Sequence, residues 1–207
     1  TKDPEVPQDA KNYAAMVTMT DRHVGDTLDL LKELGIDKKT IVFFSGDNGG
    51  QDRLKSAAYP RGYFGPNVDP LTGQGFRGGK TNLYEGGLRI PFLVRWPGKI
   101  EPGQVSDFMF YQVDVFPTLT EIAGASNPAG LDGRSILPVL FGSRATEDPA
   151  YNHDYFYWEF REQYAVRSGP WKAIKPGKHK SWELYDVEKD LSESVDLSVR
   201  NPQKLVE

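Results

Sequence analysis

The sequence predicts an α/β core over residues 1–141 followed by a small antiparallel-sheet subdomain over 151–207, and three observations carry that prediction. A helical apolar period runs from Ala10 to Leu34. A short β-branched and aromatic run, Ile41-Val-Phe-Phe44, follows it and ends in the polar, glycine-rich turn Ser45-Gly-Asp-Asn-Gly-Gly50. Beyond residue 150 the pattern changes to short aromatic segments separated by turn signals.

The helix is predicted because Ala14, Val17, Val24, Leu28, Leu31 and Leu34 fall three or four apart on good helix formers, with Gly35 as the stop. Ile41–Phe44 has the length and residue types of a buried strand, and the polar turn beyond it stands where open α/β sheets bind ligands. Residues 51–80 are rich in Gly, Pro, Asn and Asp without a period, which suits a functional loop. Leu88–Trp96 predicts a second strand and Asp114–Ala123 a helix ending at Gly124. Four further strands are expected at Asp154–Phe160, Tyr164–Ser168, Trp171–Lys175 and Trp182–Tyr185, then a last helix at Pro202–Glu207.

A chain of 207 residues with 38% apolar content can build one sizeable core with a small appended unit. A net charge of -4 gives no bulk attraction for nucleic acid or an anionic membrane, so an anionic ligand must be held locally. Without cysteine there are no disulfides, thiolate metal sites or cysteine nucleophiles in this segment. No apolar stretch has the length of a membrane span or the form of a signal peptide.

Asp47 and Asn48 place a carboxylate and an amide oxygen side by side, hard donors suited to Ca²⁺ or Mg²⁺ yet too few to hold either alone. On its own the dipeptide reads more readily as an Asx turn. The second motif is Phe76-Arg-Gly-Gly-Lys80-Thr-Asn-Leu-Tyr-Glu85-Gly-Gly-Leu-Arg89-Ile-Pro91. Its glycines allow close approach to a tetrahedral oxyanion, and Lys80 supplies a compact positive charge. Glu85 and Arg89 are expected to pair as scaffolding across the Gly86-Gly87 bend.

Phe43-Phe-Ser-Gly-Asp-Asn-Gly-Gly, followed about thirty residues later by Gly79-Lys-Thr-Asn-Leu-Tyr-Glu-Gly-Gly-Leu-Arg-Ile-Pro, resembles the type I sulfatases of the alkaline phosphatase superfamily. Arg95-Trp-Pro-Gly-Lys-Ile, Asp114-Val-Phe-Pro-Thr-Leu, Leu131-Asp-Gly-Arg-Ser-Ile-Leu-Pro and Trp182-Glu-Leu-Tyr-Asp-Val-Glu-Lys-Asp extend the likeness over nearly the whole chain. The resemblance implies an alkaline-phosphatase-like mixed sheet with flanking helices, present in part, and hydrolysis of an aryl sulfate or a sulfated sugar such as a glycosaminoglycan. It implies Ca²⁺, with Mg²⁺ the lesser alternative, held in part by Asp47 and Asn48, and a catalytic, sulfate-contacting Lys80. The family's nucleophile is a formylglycine made within a Cys/Ser-x-Pro-x-Arg motif. That motif does not occur here, since Ser56-Ala-Ala-Tyr-Pro-Arg61 has the wrong spacing. The chain is therefore expected to be a C-terminal portion, inactive and loosely metal-binding when alone. A periplasmic, secreted or lysosomal setting follows from the family only.

Tyr157-Trp158-Glu159-Phe160 with Gln163-Tyr-Ala-Val-Arg167 resembles the start of the C-terminal subdomain in arylsulfatases and N-acetylgalactosamine-6-sulfatases. Trp158 and Glu159 suit a sugar ring, although sheet core plus a surface glutamate explains them equally well. His153 is a candidate for the pocket rim, His179 reads as a loop residue and His23 as a helix-packing one. Arg167, Lys172, Lys175, Lys178, His179 and Lys180 form a basic group that could attract a sulfated polysaccharide or be a solvated hairpin face. Two other readings stand beside the sulfatase: a phosphoesterase or phosphonate hydrolase of the same superfamily, and a non-catalytic structural or carbohydrate-binding segment. The absence of His between 47 and 90 favours a single-calcium sulfatase over two-metal relatives.

Overall fold

The computed structural model describes residues 6–51, 67–69, 71–142 and 151–206. The Ser56–Arg61 stretch, most of the long glycine-rich loop and most of the polar run 142–150 lie outside the described residues. Helix α1 spans Gln8–Glu33, close to the predicted bounds, and Gly35 takes a φ of 68° that ends it. Strand β1, Val42–Ser45, pairs antiparallel with β2, Phe92–Arg95, in the register Val42↔Arg95 to Ser45↔Phe92.

Two details differ from expectation. The segment before β2 is not strand but a single helical turn, α2, Glu85–Leu88, because Gly86 and Gly87 curl under the Asp47 turn before Pro91 restores extended backbone. Strand β1 is half-exposed rather than buried, with Phe44 39% accessible, since among the described residues β2 alone flanks it in the sheet. A shallow groove between α1 and β1 is lined by Thr20, His23, Val24, Leu28 and Phe43, which accounts for His23 as a helix-face residue.

Helix α3, Val115–Ile122, and the single turn α4, Leu137–Leu140, follow. Four strands then form one antiparallel sheet in chain order: β3, Phe156–Phe160; β4, Gln163–Ser168; β5, Trp171–Lys175; and β6, Glu183–Asp186. The last predicted helix is a short 3₁₀ turn, Pro202–Leu205. Alternation along β5 sends Lys172 and Ile174 to the buried face, and their cross-strand partners Ala165 of β4 and Tyr185 of β6 join them. The core is Leu83, Tyr84, Ala165, Ile174, Tyr185 and Val187, with Leu88 and Trp158 packed on it. Its position matters for function, because Leu83 and Tyr84 belong to the Lys80 segment while the others belong to the C-terminal sheet or the turn after it. No helix among the described residues is long and apolar enough to cross a membrane.

Candidate functional site

The turn 46–50 follows the carboxyl end of strand β1. Three hydrogen bonds hold the backbone of the turn. Gly46 N–H donates to Pro91 O at 3.2 Å, Gln112 Nε2 donates to Gly46 O at 3.0 Å, and Gly49 N–H donates to Gly87 O at 3.0 Å. Gly49 has to be glycine, since a Cβ there would stand 1.9 Å from Gly86 O. The Lys80 segment joins at the same place: Lys80 N–H donates to Gly50 O at 2.8 Å, and Asn67 Nδ2 donates to Gly86 O at 2.9 Å. Backbone on either side of Asp47-Asn48 and at Lys80 is thus one packed unit, although the two motifs are about thirty residues apart in sequence.

The side chains on that unit are differently committed. Asp47 is exposed and Asn48 half-buried, with Asn48 Nδ2 donating to Gly49 O at 3.0 Å and its Oδ1 left as an acceptor. Lys80 is exposed, and among the described residues neither the Asp47 carboxylate nor the Lys80 ammonium has an ion-pair partner. Two hard oxygens are the right type of donor for a cation such as Ca²⁺ and would supply only part of a coordination shell. Among the described residues no group of three or more His, Cys, Asp or Glu completes such a shell. Directly after Lys80, Thr81 sits at a φ of 80°, a strained conformation for a β-branched residue. Gln163 Nε2 donates to the Thr81 carbonyl at 2.9 Å.

Behind the site lies a buried charged network that the sequence reading did not anticipate. Lys172 is fully buried, with Nζ 2.7 Å from Glu85 Oε1 and 2.8 Å from Glu193 Oε1. Glu193 Oε2 accepts the Glu85 N–H at 2.7 Å, capping α2, and Arg89 Nε pairs with Glu85 Oε2 at 2.5 Å as expected for scaffolding. Burial opposes the charge on Glu85, but Lys172 and Arg89 outweigh it and hold the carboxyl below the usual range. For Glu193 burial wins over Lys172 and pushes the carboxyl up. Arg167 is also buried, with Nη1 4.0 Å from Glu85 Oε2. This corrects the basic surface group: Arg167 and Lys172 are paired across β4 and β5 and point into the core, which leaves Lys178, His179 and Lys180 as its exposed members. Three residues before Lys80, Arg77 lies over the Tyr84 ring at 3.9 Å and bonds Tyr185 at 2.6 Å and Glu183 at 3.3 Å, both on β6.

His153 and Trp158 gather elsewhere, around Tyr111, while Glu159 lies on the opposite face of β3 from Trp158, so the structure does not bring the two together on one surface. His153 Nε2 lies 2.9 Å from Asp114 Oδ1, and its side chain, 8% exposed, meets Tyr111 and Phe156 edge-on or tilted. Trp158 is half-buried, stacked on Phe156 and edge-on to Tyr111. Glu159 is exposed and accepts the Tyr157 hydroxyl at 2.9 Å. Asp114 anchors this group: it is 1% exposed and accepts the Tyr111 and Arg134 amides at 2.7 Å each. Gln112, one residue past Tyr111, is the link back to the Asp47 turn through Gly46.

Comparison with known proteins identifies the family. The Sulfatase family model matches residues 1–125, and the model for the C-terminal region of N-sulphoglucosamine sulphohydrolase matches 77–206. The chain belongs to the sulfatase family. It is 39% identical over 134 residues to the steryl-sulfatase of Rattus norvegicus, covering 63% of this chain and 22% of the relative. It is 35% identical over 175 residues to the N-acetylgalactosamine-6-sulfatase of Canis lupus familiaris, covering 84% and 30%. The solved structure of Ps i-CgsB in complex with k-i-k-neocarrahexaose superposes with a TM-score of 0.75 at 29% identity, covering 98% of this chain and 42% of that one. The chain therefore spans less than half the length of each of these relatives. These likenesses confirm the predicted mixed α/β fold with its C-terminal antiparallel sheet.

Proposed function

We propose that this chain forms the Asp47–Asn48 and Lys80 side of an active site that hydrolyses sulfate esters, those of sulfated sugars above all. The observation that carries the reading is the packing of the 46–50 turn against the Lys80 segment in a member of the sulfatase family. Asp47 and Asn48 would furnish two oxygen ligands to Ca²⁺, which supplies Lewis-acid stabilisation of sulfuryl oxygens when bound. Lys80 would set its ammonium against the sulfate and offset charge that builds on the departing oxygen. A formylglycine nucleophile is implied by the family and is assigned to no residue of this chain. Glu159, exposed beside Tyr157, is the residue here best suited to accept a sugar hydroxyl. Trp158, on the opposite face of β3, and His153 pack on Tyr111 and Phe156 and hold that strand in place. Support for a sugar substrate comes from the names of two relatives, one acting on N-acetylgalactosamine-6-sulfate and one bound to a neocarrahexaose.

Parallel assay of aryl sulfate and aryl phosphate with the intact enzyme, before and after chelation, tests the reading. The expected result is preference for sulfate and loss of activity on chelation that Ca²⁺ restores. A preference for phosphate overturns it.

A further inference from the structure

The exposed ammonium of Lys80 follows a glycine-rich run and precedes a strained residue, and its backbone is held locally by Gly50 O and by the Asn82–Gly79 bonds. Further restraints on the segment come from the C-terminal sheet. Upstream, Arg77 is tied to Glu183 and Tyr185 of β6. Downstream, Glu85 is tied to Lys172 of β5. Between these anchors, at the residue next to Lys80, the side-chain amide of Gln163 at the start of β4 holds the Thr81 carbonyl. A φ of 80° at a threonine costs free energy and persists only where neighbours over-determine it. Gln163 is the side chain from the sheet that bonds this strained backbone, and the bond spans 82 residues of sequence.

The geometry points to Gln163 as a positioning residue for the sulfatase reaction. Its bond to Thr81 holds the strained backbone that aims Lys80 at the sulfate, and the four-stranded sheet thereby acts as the platform of the active-site lysine. This rests on the role proposed for Lys80. Gln163 itself touches no reacting atom in this scheme. Removing its amide lets Thr81 relax toward negative φ, which re-aims the Lys80 side chain without removing it. Misplacement of a charged group by about 1 Å costs on the order of 100-fold in rate.

The test is a double-mutant cycle in the intact enzyme with an aryl sulfate, joined to hydrogen exchange. Gln163→Leu keeps the size of the side chain and removes its donor at a half-buried position at the start of β4. It is expected to lower kcat/KM about 10- to 100-fold in the native background and less than about twofold in the Lys80→Ala background, because an effect exerted through Lys80 vanishes with Lys80. Equal losses in both backgrounds, or no loss in the native one, overturn the proposal. Exchange in the 78–82 segment is expected to quicken in Gln163→Leu while the β5 amides keep their protection, and unchanged exchange overturns the proposal whatever ester the enzyme cleaves. An intact enzyme inert toward every sulfate ester defeats the function proposed above, and the exchange arm still decides whether Gln163 holds the segment.

Discussion

The two ends of the molecule handle apolar surface in opposite ways. Along α1, Met16, Val17, Met19 and Leu30 are 51–65% exposed, and Leu93 on β2 is 58% exposed. In the C-terminal sheet Ala165 and Ile174 are wholly buried and Leu184 and Tyr185 are 1% exposed. Among the described residues, then, the first region presents a helix face and a strand pair, while the second closes a core of its own around the Lys80–Glu85 segment. The difference shows where the candidate site draws its rigidity. The Asp47 turn hangs on Gly86 and Gly87, those residues sit in α2, and α2 is fastened to β5 through Glu85, Lys172 and Glu193. A turn introduced by the loosely covered region is held in place by the well-packed one.

The sharpest way to break this picture is to cut the fastening. Lys172→Met leaves two carboxylates buried with less compensation, and breaking a buried pair this way costs about 3–5 kcal/mol. Urea denaturation is expected to show that loss, and a change below about 1 kcal/mol would detach α2 from the sheet in energetic terms. Next in size is the packing contrast itself. Ile174→Ala should cost about 2–5 kcal/mol as a fully buried truncation. Met16→Ala, at 65% exposure, should stay within about 0.5 kcal/mol. A large loss at Met16 would mean that the α1 face is covered in the folded protein.

A smaller effect concerns pH. Glu85 has its folded value held below the ordinary 4.5, so its contribution to stability is complete above pH 4.5 and is lost as pH falls through the folded value. Thermal melts should therefore show the native protein and Glu85→Gln furthest apart above pH 4.5 and converging below it. A gap that widens in acid would contradict the sign of this linkage.

Much of this was legible before any coordinates. Helix α1, the two strands of the first sheet and all four strands of the second follow from period and turn chemistry, with ends shifted by a residue or two at most of them. The α2 turn escaped because its Gly86-Gly87 helix is made by contacts with Gly49 and Arg77, not by propensity. Lys172 escaped for a different reason. Grouped with Lys175, Lys178 and Lys180 it looked like a solvated face, yet period-two alternation places it with Ile174 on the inner side of β5. That alternation was available in the sequence and could have flagged it. Glu193 carried no such signal, since it lies in irregular chain 108 residues from the Glu85 amide it caps. Pairing of the Asp47 and Lys80 segments was expected from the family resemblance, and the hydrogen bond from Lys80 to Gly50 supplies its backbone geometry.

The central claim is that Lys80 works on the anion beside the Asp47–Asn48 turn. Steady-state kinetics of Lys80→Ala in the intact enzyme with an aryl sulfate tests it most directly, with Lys180→Ala as the exposed-lysine control. The account predicts a fall in kcat/KM of about 100- to 1,000-fold for Lys80→Ala, the range for losing one preorganised charge-stabilising group, and no change for the control. Native-like turnover by a folded Lys80→Ala enzyme would contradict it.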